Sequence, residues 1–553
     1  MNNDKDFNTN QPDDTVETEK SESTLFSAPA PMSDTLNKRQ RAGSMKKQRR
    51  ALITLAILVA AAICLYFFVV KPIVEYVEET YVEPVELLEG EVLGTNDRIL
   101  LFEHLERSKI QEIEVHNEFG EFGFYWDEKD ESFYVTGHPE APYDKEKISS
   151  LIVSAGYTLS MTRVTTDCED FSEFGLAEKD NPAWYTVTSR EGEKHTVYIG
   201  DAIPTGAGYY VRYKDRDAVY VLSADLATTL LQPLENMITP TLALPMNTND
   251  YFTIKNFTIM DGDEVSIMLT YLDEEEKEAA ASMSAYKMLA PANYTVNDGS
   301  YSIALEVLTA FQGTSTLVYA PEKEDMKEYG LYAPTEEEKK AAGDKPIEGT
   351  YRYMLYYEYQ DIAQYILLSD KNENGNYYAY SLLFNLITEL DGSTMEWLEW
   401  DLIKWVDSPI FMMNINDVKT ITVDSPTAKR VFDLVGEAQE LVVTERATGF
   451  KPEVFNFRQF YKTLLSVDMQ DYVGMTEEEI AALTDDDLQL TLTIETRAGQ
   501  KRVYKFYPYS TRRSYYTVDG KGEFYVQRDM ATKVITDAEK VMTNTEVDSE
   551  AHH

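Results

Sequence analysis

Apolar and polar residues divide the chain into three regions. Residues 1–50 are polar and hold few large apolar side chains. Residues 51–70, ALITLAILVAAAICLYFFVV, carry no charge at all. Beyond them, short runs of alternating apolar and polar residues are typical of β-strands, and other stretches have the spacing of amphipathic helices. The pattern predicts a polar tail, one very apolar helix and a long folded region.

The apolar run 51–70 is long enough to cross a bilayer. A helix of this length rises about 30 Å, close to the thickness of the hydrocarbon core, and it satisfies its own backbone groups in lipid. Lys and Arg beside a span stay on the cytoplasmic side, so we expect a cytoplasmic N-terminus and extracytoplasmic domains. The basic residues before the run are Lys38, Arg39, Arg41, Lys46, Lys47, Arg49 and Arg50. After the run comes one basic residue, Lys71, and then the acidic residues Glu75, Glu78, Glu79, Glu83 and Glu86.

Three other interpretations of this run are weaker. A cleaved signal peptide would have a shorter leading tail, a shorter apolar stretch and an A-x-A site. A lipoprotein signal at Cys64 would have a small residue in place of Ile63, and here apolar sequence continues to Val70. A buried helix of a soluble protein would have a polar face. We therefore predict a single-pass membrane helix with the lipid bilayer as its partner.

The segments on either side of the helix are predicted to be unfolded or extended. Residues 1–50 cannot bury enough apolar surface to offset the entropy of ordering, so we expect a disordered cytoplasmic tail. Residues 71–97 form an acidic stalk, in which Pro72 and Pro84 prevent one continuous helix.

The region beyond residue 97 shows the same pattern three times. Each copy opens on a strand with apolar residues at its first, fourth and sixth positions, and each has an acidic, aromatic and glycine turn near its middle. The turns are EFGL at 173–176, EYGLYAPTEEEKKA from 328 and a looser DYVGMTEEEIAA from 471. The apolar triplets are Ile110, Ile113 and Val115; Ile254, Phe257 and Ile259; and Val418, Ile421 and Val423.

Each copy closes on strands, a tyrosine pair, an Asp and a helix. We expect one tyrosine of each pair to face the core and the other to cover the sheet, and the Asp to cap the helix. The pairs are Tyr209–Tyr210, Tyr377–Tyr378 and Tyr515–Tyr516, and the closing residues are Asp225, Asp391 and Asp529. The predicted apolar helix faces are Leu398, Leu402, Trp405 and Val406 in the second copy, and Met530, Val534, Ile535, Ala538 and Val541 in the third.

A further helix is predicted inside each copy, from Asp144, from Ser300 and over FNFRQFYKTLLSVDM at 455–469. Each copy is thus a hairpin, a helix, an antiparallel meander and a helix, which is an α+β unit. The predicted boundaries are 98–247, 248–413 and 414–545, with a disordered tail at 546–553. Copies of this size are domains rather than solenoid repeats, which favours duplication of a small α+β domain.

This arrangement resembles a bacterial family known only as domain of unknown function 4340. The resembling residues are the strand with Ile110, Ile113 and Val115, then EFGL, VYIGD, GYYV and VYVL. The resemblance covers about residues 98–245, and it weakens in the second copy, where ILLSD replaces the IGD turn, and in the third. It implies a short cytoplasmic tail, one span, and tandem extracytoplasmic units that accompany ABC-type export systems. It supplies no catalytic residue.

Charge and cysteine content narrow the function classes. The formal charge is −45, from 96 acidic and 51 basic residues, so the surface repels nucleic acid. A solvated outer surface explains such a charge most simply. With Cys64 in the apolar run and Cys168 alone outside it, no disulfide forms within the folded region, and this favours a Gram-positive cell envelope.

No motif assigns a catalytic, cofactor-binding or metal-binding residue. The glycines at 200, 206 and 208 lack the Lys-Ser/Thr ending of a P-loop, which favours a strand turn. The stretch DKNENGN from Asp370 resembles half of a calcium loop, but its twelfth position is Ser381 instead of Glu. His104, His116, His138 and His195 lack metal-ligand spacing, and the terminal pair His552 and His553 ends the chain.

Three functions therefore stay open. The first is a non-enzymatic membrane-anchored scaffold or binding protein of a bacterial cell envelope, accessory to an ABC-type transporter. The second is a receptor for glycans or peptides, for which exposed Trp397 and Trp400 would provide stacking surfaces. The third is an envelope enzyme that works through paired carboxylates.

Overall fold

A computed structural model describes residues 44–72 and 85–550. The chain divides into two units, 1–86 and Leu87–His553, which are described separately. In the first, helix α1 (Ser44–Leu65) continues as a π-helical turn over Tyr66–Val70. Leu52–Val70 has a mean hydropathy of 2.8 and is long and apolar enough to cross a membrane. Most of the predicted tail, residues 1–43, and the stalk residues 73–84 lie outside the described residues.

In the second unit, between Leu87 and Glu550, the structure describes 26 strands, grouped into a small two-stranded sheet and three sheets of eight strands. The small sheet is β1 (Val92–Leu93) and β2 (Ile99–Leu100). The first large sheet holds β3 (Ile110–Asn117), β4 (Gly120–Asp127), β5 (Ser132–Val135), β6 (Ser160–Thr165), β7 (Ala183–Ser189), β8 (Lys194–Ala202), β9 (Gly208–Tyr213) and β10 (Val219–Ser223).

The second large sheet holds β11 (Lys255–Asp261), β12 (Glu264–Tyr271), β13 (Tyr286–Ala290), β14 (Thr316–Tyr319), β15 (Tyr353–Tyr359), β16 (Ile362–Lys371), β17 (Tyr377–Ser381) and β18 (Leu386–Leu390). The third holds β19 (Val418–Asp424), β20 (Lys429–Val435), β21 (Val442–Glu445), β22 (Met469–Tyr472), β23 (Leu490–Thr496), β24 (Lys501–Pro508), β25 (Arg513–Val518) and β26 (Phe524–Gln527).

The helices of this unit lie between and after the strands. They are α2 (Lys145–Gly156), α3 (Ala224–Leu231), α4 (Glu274–Ala279), α5 (Asp298–Leu308), α6 (Lys323–Glu328), α7 (Glu336–Ala342), α8 (Leu402–Trp405), α9 (Val454–Leu465), α10 (Glu477–Ala481) and α11 (Arg528–Met542). The helices predicted from Asp144, from Ser300 and over 455–469 are confirmed as α2, α5 and α9.

The three large sheets have one and the same strand order. If the strands of each sheet are numbered along the chain, the order across it is third, second, first, fifth, sixth, seventh, eighth, fourth. All neighbouring strands are antiparallel. The predicted α+β class, with an apolar N-terminal helix and three repeated units, is confirmed. Each repeated unit is built on one of the large sheets, and we number them unit 1, unit 2 and unit 3 along the chain.

The opening strands form the centre of each core. The first residue of each apolar triplet is 0% exposed, the second 0% and the third 2%, in all three units. Each such side chain contributes roughly 1.5–3 kcal/mol on full burial. The amphipathic helices cover the same face of the sheet, with α2 packed against α3 and α9 against α11. This agreement in burial explains why the triplets recur in the sequence.

The closing Asp residues do not all act as predicted. Asp391 caps the segment that follows it, since its carboxylate accepts a hydrogen bond from the Ser393 N–H at 2.9 Å. Asp225 and Asp529 instead lie inside the first turns of α3 and α11, whose N-caps are Ser223 and Gln527. An Asp in the first turn still interacts favourably with the helix dipole.

The end of unit 2 also differs from the prediction of one amphipathic helix. Residues Gly392–Glu399 form 3₁₀ turns, and α8 is only four residues long. A 3₁₀ helix has three residues per turn, so side chains do not follow the 3.6-residue spacing used for the prediction. As a result Trp397, which is not among the residues of the predicted apolar face, is buried at 1% exposure, as is Trp405.

The tyrosine pairs occupy different registers. Tyr210 lies opposite Val221, four residues before Asp225, whereas Tyr515 lies opposite Tyr525, four residues before Asp529. Tyr210, the second tyrosine of its pair, is thus equivalent to Tyr515, the first tyrosine of its pair. Because the pairs are shifted by one residue, side chains at the same place in the two pairs point to opposite faces of the sheet. The predicted division of each pair holds in unit 2, where Tyr377 is buried and Tyr378 half-buried. Both tyrosines are half-buried in unit 1, and both are buried in unit 3.

Two connectors join the units without a free linker. In the first connector (residues 236–246) the Met237 carbonyl accepts a hydrogen bond from the Asp144 N–H of unit 1 at 2.7 Å. The Leu242 N–H of the same connector donates to the Phe311 carbonyl of unit 2 at 2.8 Å. The second connector (residues 405–414) receives the Asn297 N–H of unit 2 at the Trp405 carbonyl (2.9 Å). It also donates from Ile410 N–H to the Val467 carbonyl of unit 3 (3.0 Å). Each connector therefore belongs to both neighbours.

Two segments predicted to be unfolded or extended are packed where the structure describes them. In the predicted tail, Val547 is 3% exposed and its N–H donates to Asn456 at 2.8 Å. In the predicted stalk, Glu91 is buried on unit 1. The sequence patterns missed both because each buries only one or two side chains within an otherwise polar stretch.

Candidate functional site

Each unit has a cleft at the same place in its fold. The cleft lies between the turn of the first hairpin and the segment that precedes the fifth strand of the sheet. The cleft volumes are about 360, 270 and 460 Å³ in units 1, 2 and 3. These three equivalent clefts are the positions where the shared fold offers a surface concavity.

The cleft of unit 1 is lined by neutral and acidic side chains, among them Asn117 and Asp201. Asn117 is 5% exposed, and its amide donates to the carbonyls of Leu231 and Gln232 at 3.1 and 3.0 Å. Gly175, with φ +66°, lies against Asp201, whose carboxylate would be 2.6 Å from a Cβ at that position. The polar atoms of Asn117 therefore fix the turn rather than await a ligand.

In units 2 and 3 one lysine of the cleft lining pairs with one aspartate of the lining. Lys339 Nζ lies 2.6 Å from Asp263 Oδ1 in unit 2, and Lys505 Nζ lies 2.8 Å from Asp485 Oδ1 in unit 3. The hydrogen bond to Asp485 raises the pKa of Lys505. The pair in unit 2 links one wall of the cleft to the other, since Asp263 lies in the hairpin turn and Lys339 in α7. Each pair contributes about 0–1 kcal/mol at such exposure.

Unit 3 has a further cleft with different chemistry. It has a volume of about 490 Å³ and lies beside the last strand and the start of α11. We call it the arginine cleft, and its lining residues are Gln470, Thr511, Arg512, Arg513, Tyr525, Gln527 and Asp529. Sequence reasoning missed it because its walls come from three separate segments.

The stretches considered in the sequence have structural roles. Gly206 lies in the turn between β8 and β9 with φ +72°. In the calcium-like stretch, the Asn372 side chain accepts from the N–H groups of Asn374 and Asn376 and donates to Glu389 Oε1 at 2.8 Å. Among the described residues, no group of three His, Cys, Asp or Glu side chains is arranged to hold a metal ion.

The histidines are dispersed and pack against aromatic rings. The His195 ring stacks on Phe102 at 4.5 Å, its Nδ1 lies 3.0 Å from the Tyr213 hydroxyl, and burial lowers the pKa of His195. His138 meets Tyr319 of unit 2 edge-on at 5.2 Å. The terminal pair His552 and His553 lies outside the described residues.

The tryptophans do not form an exposed platform. Trp397 is 1% exposed and packs near Phe257, with ring centroids 6.0 Å apart. Trp400 is half-buried against Trp405 at 5.5 Å. Burial of Trp397 removes it from any sugar-stacking surface.

A buried carboxylate holds the start of the folded region. Glu91 accepts from Arg163 Nη1 and from the Tyr220 hydroxyl, both at 2.6 Å, and from the Leu88 N–H at 2.7 Å. Burial alone would raise the pKa of Glu91, but these hydrogen bonds and the charge of Arg163 outweigh it and lower the pKa. Nothing in the acidic sequence around Glu91 distinguishes it from its exposed neighbours.

A second polar contact joins units 2 and 3. The Tyr294 hydroxyl donates to the Glu523 carboxylate and accepts from the Glu523 N–H at 2.9 Å. Lys521 Nζ donates to the Pro291 carbonyl at 3.1 Å. Burial, followed by the charge of Glu523, raises the pKa of Tyr294, so the hydroxyl stays protonated as the donor.

Comparison with known proteins gives one match. No curated protein and no solved structure matches the chain. The model of the family described as domain of unknown function (DUF4340) matches residues 134–334. This window takes in strands β6–β14, which come from the first two large sheets, so its limits do not coincide with a single structural unit. Residues 134–334 of this chain carry a domain of unknown function, DUF4340.

Proposed function

We propose that the chain is a single-pass membrane protein whose folded region acts outside the cytoplasm as a non-enzymatic scaffold or binding protein of a bacterial cell envelope. Its partner would be a membrane protein such as an ABC-type transporter. The observation that carries the proposal is the pair of connectors. Because each is hydrogen-bonded to both neighbours, the three units can hold surface features at fixed mutual distances, as a scaffold requires.

The apolar helix and its flanks support the membrane part of the proposal. Basic residues precede Leu52–Val70 and acidic ones follow it, which favours a cytoplasmic N-terminus. The test uses single cysteines in a background with Cys64→Ser and Cys168→Ser. An impermeant maleimide added to intact cells should label Ala498→Cys, in the exposed turn after β23, and spare Ser21→Cys. The reverse pattern would reject the topology.

The scaffold part is tested by distance measurements between spin labels. Glu128→Cys and Ala498→Cys place labels at exposed turns of units 1 and 3. Rigid connectors predict one narrow distance distribution in the detergent-solubilised chain. A broad distribution, as for domains on flexible linkers, would contradict a scaffold.

The binding part is tested by co-purification from detergent-solubilised membranes. We expect a membrane protein to be retained on the full chain and lost when residues 44–72 alone are used as bait. Recovery of the same proteins on both baits, or of none, would count against a partner for the folded region. A glycan receptor built on Trp397 and Trp400 is not favoured, since Trp397 is buried.

A further inference from the structure

We propose that the arginine cleft of unit 3 binds a phosphate ester. The proposal does not depend on the scaffold role. The cleft, with a volume of about 490 Å³, has room for the group that carries the phosphate as well as for the phosphate itself. Its lining offers guanidinium, amide and hydroxyl groups from Arg512, Arg513, Gln470, Gln527 and Thr511.

The charge of this cleft is opposite to that of the chain. The protein carries 96 acidic and 51 basic residues, yet two arginines and one Asp line the cleft. Some other arginines of units 2 and 3 are neutralised, as Arg352 is by Asp261 at 2.6 Å and Arg446 by Asp433 at 2.6 Å. Neither Arg512 nor Arg513 has a carboxylate partner within ion-pair distance in the part of the chain that the structure describes.

The backbone of the turn and the guanidinium of Arg513 are held in place before any ligand arrives. The guanidinium of Arg513 lies 4.6 Å from the centre of the Tyr525 ring, a cation–π contact. Ser510 Oγ accepts from the N–H groups of Arg512 and Arg513 at 3.3 and 3.0 Å. The Arg528 N–H donates to the Arg512 carbonyl at 2.9 Å. A fixed turn reduces the entropy that a ligand would lose in ordering it.

The start of α11 adds further donors. The helix has 15 residues, and its N-cap Gln527 makes no side-chain capping bond. The Arg528 N–H donates to the Arg512 carbonyl, and the N–H groups that follow it in the first turn have no side-chain cap and can face an anion. Two guanidinium forks and these N–H groups suit the several oxygens of a phosphate. Asp529, also in the lining, would accept from a hydroxyl of the carrier, which favours an ester over a bare phosphate.

The equivalent turns of units 1 and 2 have no such charge. The turn between the sixth and seventh strands is Pro204-Thr205-Gly206-Ala207 in unit 1 and Asn372-Glu373-Asn374-Gly375-Asn376 in unit 2. In unit 3 the same turn contains Ser510-Thr511-Arg512, and Arg513 is the first residue of the strand that follows. The basic turn is thus an addition to the shared fold, and the fold does not need it to form the sheet.

The test measures binding to the full chain in neutral detergent by calorimetry. The probes are glycerol 3-phosphate, inorganic phosphate and monomeric dihexanoyl phosphatidylglycerol, so that a soluble ester and a lipid headgroup are compared. We expect an ester to bind more tightly than inorganic phosphate, and R512A/R513A to weaken it by about tenfold or more. The tighter of the two esters identifies the source of the phosphate.

The matched control is K214A/K340A, which removes the same charge from exposed positions in units 1 and 2. It should bind like the unchanged chain. Equal binding by the unchanged chain and R512A/R513A, or equal loss in the control, would overturn the proposal. The single variant R512A, which keeps the backbone bonds of the turn, serves if the double variant unfolds, and it should still bind the ester more weakly than the control.

Discussion

Units 1 and 3 have the same strand order, yet they cover the outer face of the sheet in different ways. In unit 3 a cluster of Val473, Tyr507 and Tyr515 lies under apolar side chains from α10 and its flanks, including Ile480. In unit 1 the corresponding segment is formed of 3₁₀ turns, in which Phe171 lies under the Arg212 guanidinium at 4.2 Å. The difference teaches that the inner face defines the topology, whereas the outer face can vary freely.

The two units also differ in their buried carboxylates. In unit 1 the Glu91 side chain is 0% exposed and pairs with Arg163 from a neighbouring segment. In unit 3 the Asp537 side chain is 1% exposed, and it pairs with Lys533 and Lys540 of its own helix, at 2.8 and 3.1 Å. One carboxylate joins the chain entering the fold to the sheet, whereas the other joins the last helix to α9, because Asp537 also accepts from the Thr463 hydroxyl at 3.0 Å.

The largest effect is expected from Glu91→Gln. It removes the negative charge that Glu91 presents to Arg163 in a buried site, and the loss of one member of such a pair costs about 3–5 kcal/mol. Because the pKa of Glu91 is lowered in the folded state, its contribution is present at neutral pH and is lost as the pH falls below about 4. Chemical denaturation of the two chains at several pH values measures the loss of stability and its dependence on pH.

The control for Glu91→Gln is Glu89→Gln, an exposed carboxylate two residues away. It should change stability by a few tenths of a kcal/mol at most. A Glu91→Gln chain as stable as this control at pH 7 would show that the carboxylate does not hold the segment to unit 1.

The next effect tests whether the connectors couple the units. Ile421→Ala in unit 3 and Ile113→Ala in unit 1 remove equivalent, fully buried side chains, at a cost of about 2–5 kcal/mol each. The tryptophans are residues 126, 184, 397, 400 and 405, so none lies in the sheet of unit 3. If the units unfold together, Ile421→Ala should still shift the denaturation midpoint read by tryptophan fluorescence. An unchanged fluorescence midpoint with a shifted circular dichroism signal would mean independent units.

A smaller effect distinguishes the two outer faces. Ile480→Ser in unit 3 loses part of an apolar contact, for which we expect about 1–2 kcal/mol. Phe171→Leu in unit 1 keeps apolar area but loses the cation–π contact with Arg212, for about 0.5–1 kcal/mol. Urea denaturation of both variants gives the comparison, and a larger loss for Phe171→Leu would reverse our ranking of the two covers.

The smallest effect concerns the helix starts. The Asp144 carboxylate accepts from the N–H groups of Glu146 and Lys147 at 3.0 and 3.1 Å, so Asp144→Ala should cost about 1 kcal/mol. Asp529 of unit 3 caps no backbone group, and Asp529→Ala should cost about 0.3–1 kcal/mol through the helix dipole alone. Thermal unfolding at low and high salt separates the two, since only the dipole effect is strongly screened.

The sequence predicts the parts of the fold that depend on repetition. The last two residues of the triplets that begin at Ile110, Ile254 and Val418 indicate the core, because residues two apart on a strand lie on one face. The first residue lies three positions earlier, and it is buried with them where the pairing with the fifth strand shifts register. Register is harder, since the tyrosine pairs are alike in letters but shifted by one residue against the neighbouring strand. Similarly, a 3.6-residue spacing cannot detect the 3₁₀ turns that bury Trp397.

The candidate sites are less visible in the sequence than the fold. The arginine cleft needs Gln470, Arg512 and Gln527, which come together only when the sheet forms. The basic pair in the turn gave a signal, but neighbouring Arg residues on a surface are common. Glu91 gave none, because an acidic residue that is buried and one that is solvated have the same neighbours along the chain.

The connectors have a practical consequence for anyone who cuts the gene into pieces. A fragment that stops before residue 236 or 405 lacks the connector that follows. Backbone groups of the remaining unit that were hydrogen-bonded to this connector are then exposed. One that follows the limits 134–334 would also strip β11 of its partner β15. Soluble expression is therefore best attempted from residue 87 to residue 550, with all three sheets kept together.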